Sequence, residues 1–296
     1  MSISSEIAVI LSTFERPEHL RRSLMSLSLQ RGVAGQFEVV VTDDGSTDHT
    51  FDVIREFARE VAFPVTFTTH DHNGFRLARC RNEGAQASTA PYLLYSDGDC
   101  IFPSNHLLKH LRVRRRGVAR SGDCLRLSRN ATQRIDQAVI ASGAYRLWVS
   151  RRERWRLFQR WIKDEFYSAI GHAMRPKLIG CNIALWRSDF ERINGFDEHF
   201  VGWGCEDDDL AERLRQSDVR IASILGHTQA YHMWHPSDPS QPMTWRDGSN
   251  VKYLLRGDKP TRCAAGLTTE ALVHGLPSEP APQGDDAPLP GRNNAA

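Results

Sequence analysis

Net charge is nearly absent from this chain of 296 residues: 38 lysines and arginines stand against 36 aspartates and glutamates, a formal +2. So close a balance supplies no long-range field to gather nucleic acid. Long apolar runs are missing too. None approaches the roughly 20 residues that a membrane-crossing helix needs. Residues 1–6 hold no basic-then-apolar leader, so a cytoplasmic protein is expected. Six cysteines (Cys80, Cys100, Cys124, Cys181, Cys205, Cys263) show no Cys-x-x-Cys pair and no metal-finger spacing. They read as free thiols of a reducing compartment. A hydrophobic content of 40% is enough to bury a sizeable core, as one large domain or as one domain with a subdomain.

Strands alternate with amphipathic helices, the pattern of an α/β fold whose mostly parallel sheet is covered on both faces. Strands are expected over 7–11, 37–41, 64–69 and 92–95. The first helix has Pro17 near its start and Leu20, Leu24 and Leu27 on one face. Phe51, Ile54 and Phe57 are expected to form the buried stripe of the second, and 75–87 the third. Ligands of such sheets bind beyond the carboxyl ends of the strands. Three polar motifs fall there: Thr13, Glu15 and Arg16; Asp43 and Asp44; Asp97 and Asp99.

The run Gly202-Trp203-Gly204-Cys205-Glu206-Asp207-Asp208-Asp209 puts four consecutive carboxylates behind a Gly-Trp-Gly turn, at the start of a helix expected over 208–216. A helix start needs one or two acids to meet its free N–H groups and dipole. Four repel one another, so two or more are expected to meet a partner outside the chain: a sugar hydroxyl, a proton to be taken, or a cation. Asp97-Gly98-Asp99 ends the apolar run Tyr92-Leu93-Leu94-Tyr95 and suits a hard divalent ion left open to phosphate oxygens. Asp43-Asp44-Gly45-Ser46-Thr47-Asp48 also fits an ordinary strand-to-helix turn capped by Ser46 or Thr47.

Together and in this order, the three motifs resemble the inverting glycosyltransferases of family 2, with their GT-A, Rossmann-like nucleotide-diphospho-sugar transferase fold. The resemblance covers roughly residues 5–240 and includes Ser12-Thr13-Phe14-Glu15-Arg16-Pro17 and Asn73-Gly74-Phe75-Arg76-Leu77-Ala78-Arg79-Cys80-Arg81-Asn82. Asn194-Gly195-Phe196-Asp197-Glu198 followed by Gly202-Trp203-Gly204-x-Glu206-Asp207 is similar to the part shared by β-1,4-galactosyltransferases and bacterial chondroitin-type polymerases. The eukaryotic members carry an anchor and stem not seen here, so a bacterial cytosolic enzyme is expected.

The resemblance implies roles. Asp99 is the direct metal ligand, with Asp97 nearer the ribose or a metal-bound water. In β-1,4-galactosyltransferases a metal-binding Met and His lie three residues apart beyond the acidic run, and here that spacing matches His232 and His235. Mn²⁺, or else Mg²⁺, is the implied cofactor, imidazole favouring Mn²⁺. Asp207 is the implied base, with Trp203, Glu206 and Asp208 on the acceptor sugar. The related polypeptide N-acetylgalactosaminyltransferases, which retain configuration, have Asn at that position, so the Asp implies inversion. Thr13, Glu15 and Arg16 are expected at base and ribose, with either Asp43 or Asp44 on the base and Arg76 and Arg79 on the phosphates. Arg81-Asn82 reads instead as a buried structural pair. UDP is the implied nucleotide, with GDP and dTDP open.

The implied activity is transfer of a hexose or N-acetylhexosamine from a UDP-sugar to a saccharide or lipid-linked saccharide, in bacterial cell-surface polysaccharide or glycolipid synthesis. Two other readings compete: a sugar-binding scaffold without catalysis, and a nucleotidyltransferase. The latter would normally show a glycine-rich phosphate loop with a basic residue near the N-terminus, and none is present. Residues 1–110 read as the nucleotide-sugar part, 111–175 as a basic and aromatic helical insert, 176–265 as the acceptor and catalytic part, and 266–296 as a disordered tail. The segment 146–167 interleaves arginines with Trp148, Trp155, Phe158 and Trp161. It reads either as a surface for anionic lipid or polysaccharide, placing the protein peripherally at the inner face of the membrane, or as a helix packing Trp155, Phe158, Ile162 and Phe166 on the core.

Overall fold

The central sheet follows from strands that bury both faces. The computed structural model describes residues 5–267 and 273–274. Its first strand, β1 (Ile7–Thr13), is buried at every position. Ile7, Val9 and Leu11 enter one apolar cluster, while Ala8 and Ile10 enter another on the opposite face. This is why the strand reads as a continuous apolar run. The chain continues through α1 (Pro17–Ser28), β2 (Phe37–Asp43), α2 (Thr50–Glu60), β3 (Val65–Thr69), α3 (Leu77–Gln86) and β4 (Tyr92–Asp97). Next come β5 (Cys100–Ile101), α4 (His106–Val113), β6 (Val118–Ser121), β7 (Cys124–Arg126), α5 (Arg129–Gln133), α6 (Gln137–Ser142) and the long α7 (Arg151–Ala169). The last described elements include β8 (Ile183–Trp186), α8 (Arg187–Arg192), α9 (Glu206–Gln216), β9 (Arg220–Ser223), β10 (Ala230–His232) and β11 (Val273–His274).

Eight strands form the main sheet in the order β11-β3-β2-β1-β4-β8-β6-β9. The first four strands of the chain run parallel, and β8 is antiparallel to both β4 and β6. A small second sheet, β5-β10-β7, pairs His232 with Cys100 and thereby carries the C-terminal histidines to Asp99. Met233 N–H also donates to the Asp99 carbonyl at 2.9 Å.

Several details depart from expectation. The strands reach further than their apolar runs: the ladders include Thr13↔Asp43 and Ser12↔Asp97, so motif residues are themselves paired. Helix α9 begins at Glu206, two residues early, because Gly204 (φ 90°) and Cys205 (φ 78°) make a left-handed turn directly before it. Phe51 is not part of a buried stripe. It is 36% exposed and only leans on Phe67, while Val53 fills the core beside Ile54. Of the expected tail, Leu267 N–H donates to the Asn194 carbonyl and Val273–His274 pairs antiparallel with β3; residues 268–272 and 275–296 lie outside the described residues.

Of the two readings of 146–167, the one that packs the aromatic face of α7 on the core does not hold. Trp155, Phe158, Ile162 and Phe166 are 59, 45, 48 and 59% exposed, while Leu157 and Asp164 are buried. Arginines turn inward instead. Arg156 and Arg160 reach the buried Asp123 carboxylate at 2.9 and 3.0 Å. A buried carboxylate needs its counter-charge, and Asp123 therefore decides which face of α7 meets solvent.

Candidate active site

Asp97 and Asp99 stand where β4 runs into β5. Between them, Gly98 N–H donates to the Ser12 carbonyl at 2.8 Å, and a Cβ on Gly98 would lie 3.1 Å from that oxygen, so the turn is tight. Asp99 is 8% exposed and faces two imidazoles, His235 Nε2 at 3.0 Å and His232 Nε2 at 3.5 Å. Burial alone would raise its pKa. The charge of His232, with the bond and charge of His235, outweighs this and holds Asp99 well below the usual carboxylate range.

Donor atoms of Asp99, His232 and His235 lie within 4.8 Å of one another, a spacing that can hold a metal ion. Two other clusters share that spacing but fit less well. In one, Asp44 is already bonded to His70 at 2.9 Å and burial pushes the Cys80 thiol well up. In the other, Asp123 is saturated by two arginines.

The acidic run resolves differently from expectation. Three of its four carboxylates have cationic partners within the chain: Glu206 with Arg81 at 3.0 Å, Asp208 with Lys177 at 2.7 Å, and Asp209 with Arg213 at 2.7 Å. Only Asp207, among the described residues, lacks an ion pair. Its oxygens accept the Asp208 N–H at 2.8 Å and the Gly180 N–H at 3.3 Å. Burial, then the charges of Glu206 and Asp208, push its pKa up from 3.8 to about 7, against the pull of Arg81. The run therefore leaves one carboxylate, not two or more, without a cation of its own among the described residues.

Arg81 is the residue whose importance the sequence hid. It is 1% exposed and spans two motifs, holding Glu206 with Nη1 and Asp97 with Nη2 at 3.3 Å. Gly180 is glycine for this reason, since a Cβ there would lie 2.3 Å from Nη2. The neighbouring Asn82 donates to the Phe196 carbonyl and Glu198 and accepts the Phe196 N–H, pinning the Asn194-Gly195 turn. The Arg81-Asn82 pair itself was the available signal, read as a buried structural pair without its partners Glu206 and Asp97. Trp203, 38% exposed, projects from the turn that Asn250 fixes through the Gly202 and Gly204 carbonyls.

The residues expected at the nucleotide divide into two groups. Arg16 lies on the Asp99 side, close enough that its charge acts on both Asp99 and His235. His19, which the sequence reading missed, also sits there, bonded to the Trp234 carbonyl between His232 and His235. The second group is a polar network. Asp43 accepts from Ser46 and Thr69; Asp44 holds His70, and the Arg76 N–H at 3.1 Å; Thr13 accepts the Asp44 N–H. Glu15 N–H donates to Ser46 at 2.7 Å. Arg79 is committed to Glu83 at 2.8 Å. His70 lies between Asp44 and Glu83, both at 2.9 Å. Burial would lower its pKa, but those two bonds lift it to about 9. The rings of Phe14 and His72 stack at 4.3 Å beside this network.

Residues 8–173 match the model of glycosyl transferase family 2, and residues 168–236 that of the N-terminal domain of galactosyltransferase. A validoxylamine A glucosyltransferase of Streptomyces hygroscopicus subsp. jinggangensis is 30% identical over 222 residues, 72% of this chain and 52% of its own. The chain thus spans about half the length of that curated relative. Among solved structures, a mannosyltransferase from Pyrobaculum calidifontis in complex with GDP-Man and Mn²⁺ aligns at TM-score 0.53 with 20% identity, covering 74% of this chain and 55% of its own. S. aureus TarS in complex with UDP-GlcNAc aligns at 0.53 with 14% identity, covering 79% and 60%. The sheet is that of GT-A glycosyltransferases, and the chain belongs to glycosyltransferase family 2.

Proposed function

We propose that the chain is a metal-dependent inverting transferase that moves a hexose or N-acetylhexosamine from a UDP-sugar to a saccharide acceptor, in bacterial cell-surface polysaccharide or glycolipid synthesis. The observation that carries this reading is the single unpaired carboxylate. Asp207, raised to about 7, directly follows Glu206, whose partner Arg81 also holds Asp97, so the acidic run and the Asp97 side meet across one guanidinium.

Asp99, His235 and His232 would hold Mn²⁺; a carboxylate with two imidazoles suits it better than Mg²⁺. When bound, the ion neutralises charge on the diphosphate leaving group. Arg16 adds a second positive charge on the same side. Asp97, with Thr13, Glu15 and one of Asp43 or Asp44, faces ribose and base, and Arg76 lies at their edge. Asp207 takes the acceptor hydroxyl's proton as its oxygen attacks the anomeric carbon, and the bond to the nucleoside diphosphate breaks on the opposite face. An α-linked donor gives a β-linked product. A base of pKa near 7 is well matched to neutral pH. Trp203 offers a face for the acceptor ring, and Glu206 and Asp208, each held by a cation, offer oxygens to its hydroxyls.

A panel of nucleotide sugars with Mn²⁺ tests this, run on the intact protein, Asp99→Ala and Asp207→Asn. Metal-dependent release of one nucleotide, lost in Asp99→Ala, identifies the donor. Transfer lost in Asp207→Asn while donor binding persists supports the base, and NMR of the product reads its anomeric configuration. If no nucleotide sugar binds or turns over with any metal, the reading is wrong.

A further inference from the structure

The outward face of α7 has no partner among the described residues. Trp155, Phe158, Ile162 and Phe166 recur at helical spacing and are all about half exposed or more. Ile170 and Met174, 57 and 56% exposed, extend the stripe past the helix end. Arg151, Arg152 and Lys163 stand exposed along it. Between 146 and 175, eight arginines and lysines face three acids. Beside Trp155 a cleft of about 500 Å³ is lined by Arg126, Arg152, Arg156 and Gln159, with Glu153 as its acid. A contiguous apolar stripe edged by cations is the pattern of a helix lying in a lipid interface.

We propose that this face docks the enzyme on an anionic lipid bilayer. The apolar stripe enters the headgroup–acyl boundary, and the arginine-lined cleft takes an anionic headgroup. Charge complementarity selects this occupant. A second copy would set arginines against arginines. A hydrated anionic polysaccharide would match the cations but offers nothing to Ile162, Ile170 and Met174. The surface also leads to the active site: beyond Met174 the chain reaches Lys177, which holds Asp208. Docking would therefore hold the acceptor side against the membrane, where a lipid-linked acceptor is presented. This last step rests on Asp208 lying on the acceptor side, as proposed above; the docking itself does not.

The test is co-sedimentation of the full chain with vesicles of phosphatidylcholine alone or mixed with equal parts of phosphatidylglycerol. Binding is expected on the mixed vesicles and to be at least about tenfold weaker on the neutral ones, falling further with added salt, since each basic residue at an anionic surface multiplies affinity by about fivefold. Combined Trp155→Gln, Phe158→Gln, Ile162→Gln and Phe166→Gln should abolish it, and Arg126→Glu with Arg152→Glu should weaken it. Circular dichroism confirms the fold, and Mn²⁺-dependent release from the nucleotide-sugar panel, unchanged in these variants, keeps this outcome separate from the catalytic reading. Three results overturn the proposal: no sedimentation with anionic vesicles, a dimer in light scattering that the glutamine variant dissolves, or retention of heparin that the glutamate variant loses while vesicle binding is absent.

Discussion

Replacing Asp207 by Asn should remove activity and at the same time stabilise the protein in a pH-dependent way. Asp207 rises from 3.8 to about 7 on folding because burial, Glu206 and Asp208 all oppose its charge. An acid whose folded pKa lies above its unfolded one makes folding harder once it ionises. The cost is absent below about pH 4, grows between 4 and 7, and is constant above. The rise corresponds to about 4 kcal/mol at about 1.4 kcal/mol per tenfold. Asp207 is partly exposed, and water reaching it screens the repulsion, which brings the expected gain to about 2 kcal/mol. An isosteric amide cannot ionise and keeps the shape of the site. Thermal unfolding of Asp207→Asn should match the parent at pH 4 and exceed it by roughly 3 °C at pH 8. A difference independent of pH, or a less stable variant at pH 8, would refute the assignment of Asp207 as the strained carboxylate.

Arg81→Met leaves Asp97, Glu206 and Asp207 without their shared cation and should cost about 3–5 kcal/mol, read as a lowered denaturant midpoint; Arg81→Lys should recover part of it. Gly180→Ala drives a methyl onto Arg81 Nη2 and should lower both stability and turnover, with Arg81→Met masking its effect in the double variant. His70, lifted to about 9, contributes stability that is complete below its unfolded 6.5 and lost as pH rises through 9; denaturant unfolding of His70→Gln should lack that decline. His235→Ala should weaken Mn²⁺ binding by about tenfold or more in calorimetry or EPR.

Much of the fold was legible because its strands are buried on both faces, so Ile7, Val9 and Leu11, like Val39 and Val41, leave an unbroken apolar trace. That Asp99, His232 and His235 come together was legible only through the resemblance that Asp-x-Asp and Gly-Trp-Gly-x-Glu-Asp carry in combination, since many ordinary turns contain Asp-x-Asp alone. Which carboxylates were free was not legible. Arg81 lies 125 positions before Glu206, and nothing local announces the pairing. The orientation of α7 was hidden likewise. Its helical wheel has one aromatic and one cationic face, and the choice between them is made by Asp123, outside the helix. Glu206 was expected just outside its helix because the left-handed Cys205 is not a glycine.

The single guanidinium of Arg81 also bears on modularity. The two stretches that match separate family models divide near residue 170, and Arg81 lies in the first while Glu206 and Gly180 lie in the second. Cutting the chain there, or joining either stretch to one from a relative without the matching arginine, acid and glycine, would strand a buried charge on each side of the join. Exchange of either stretch between family members is therefore expected to succeed only where the arginine, acid and glycine travel together.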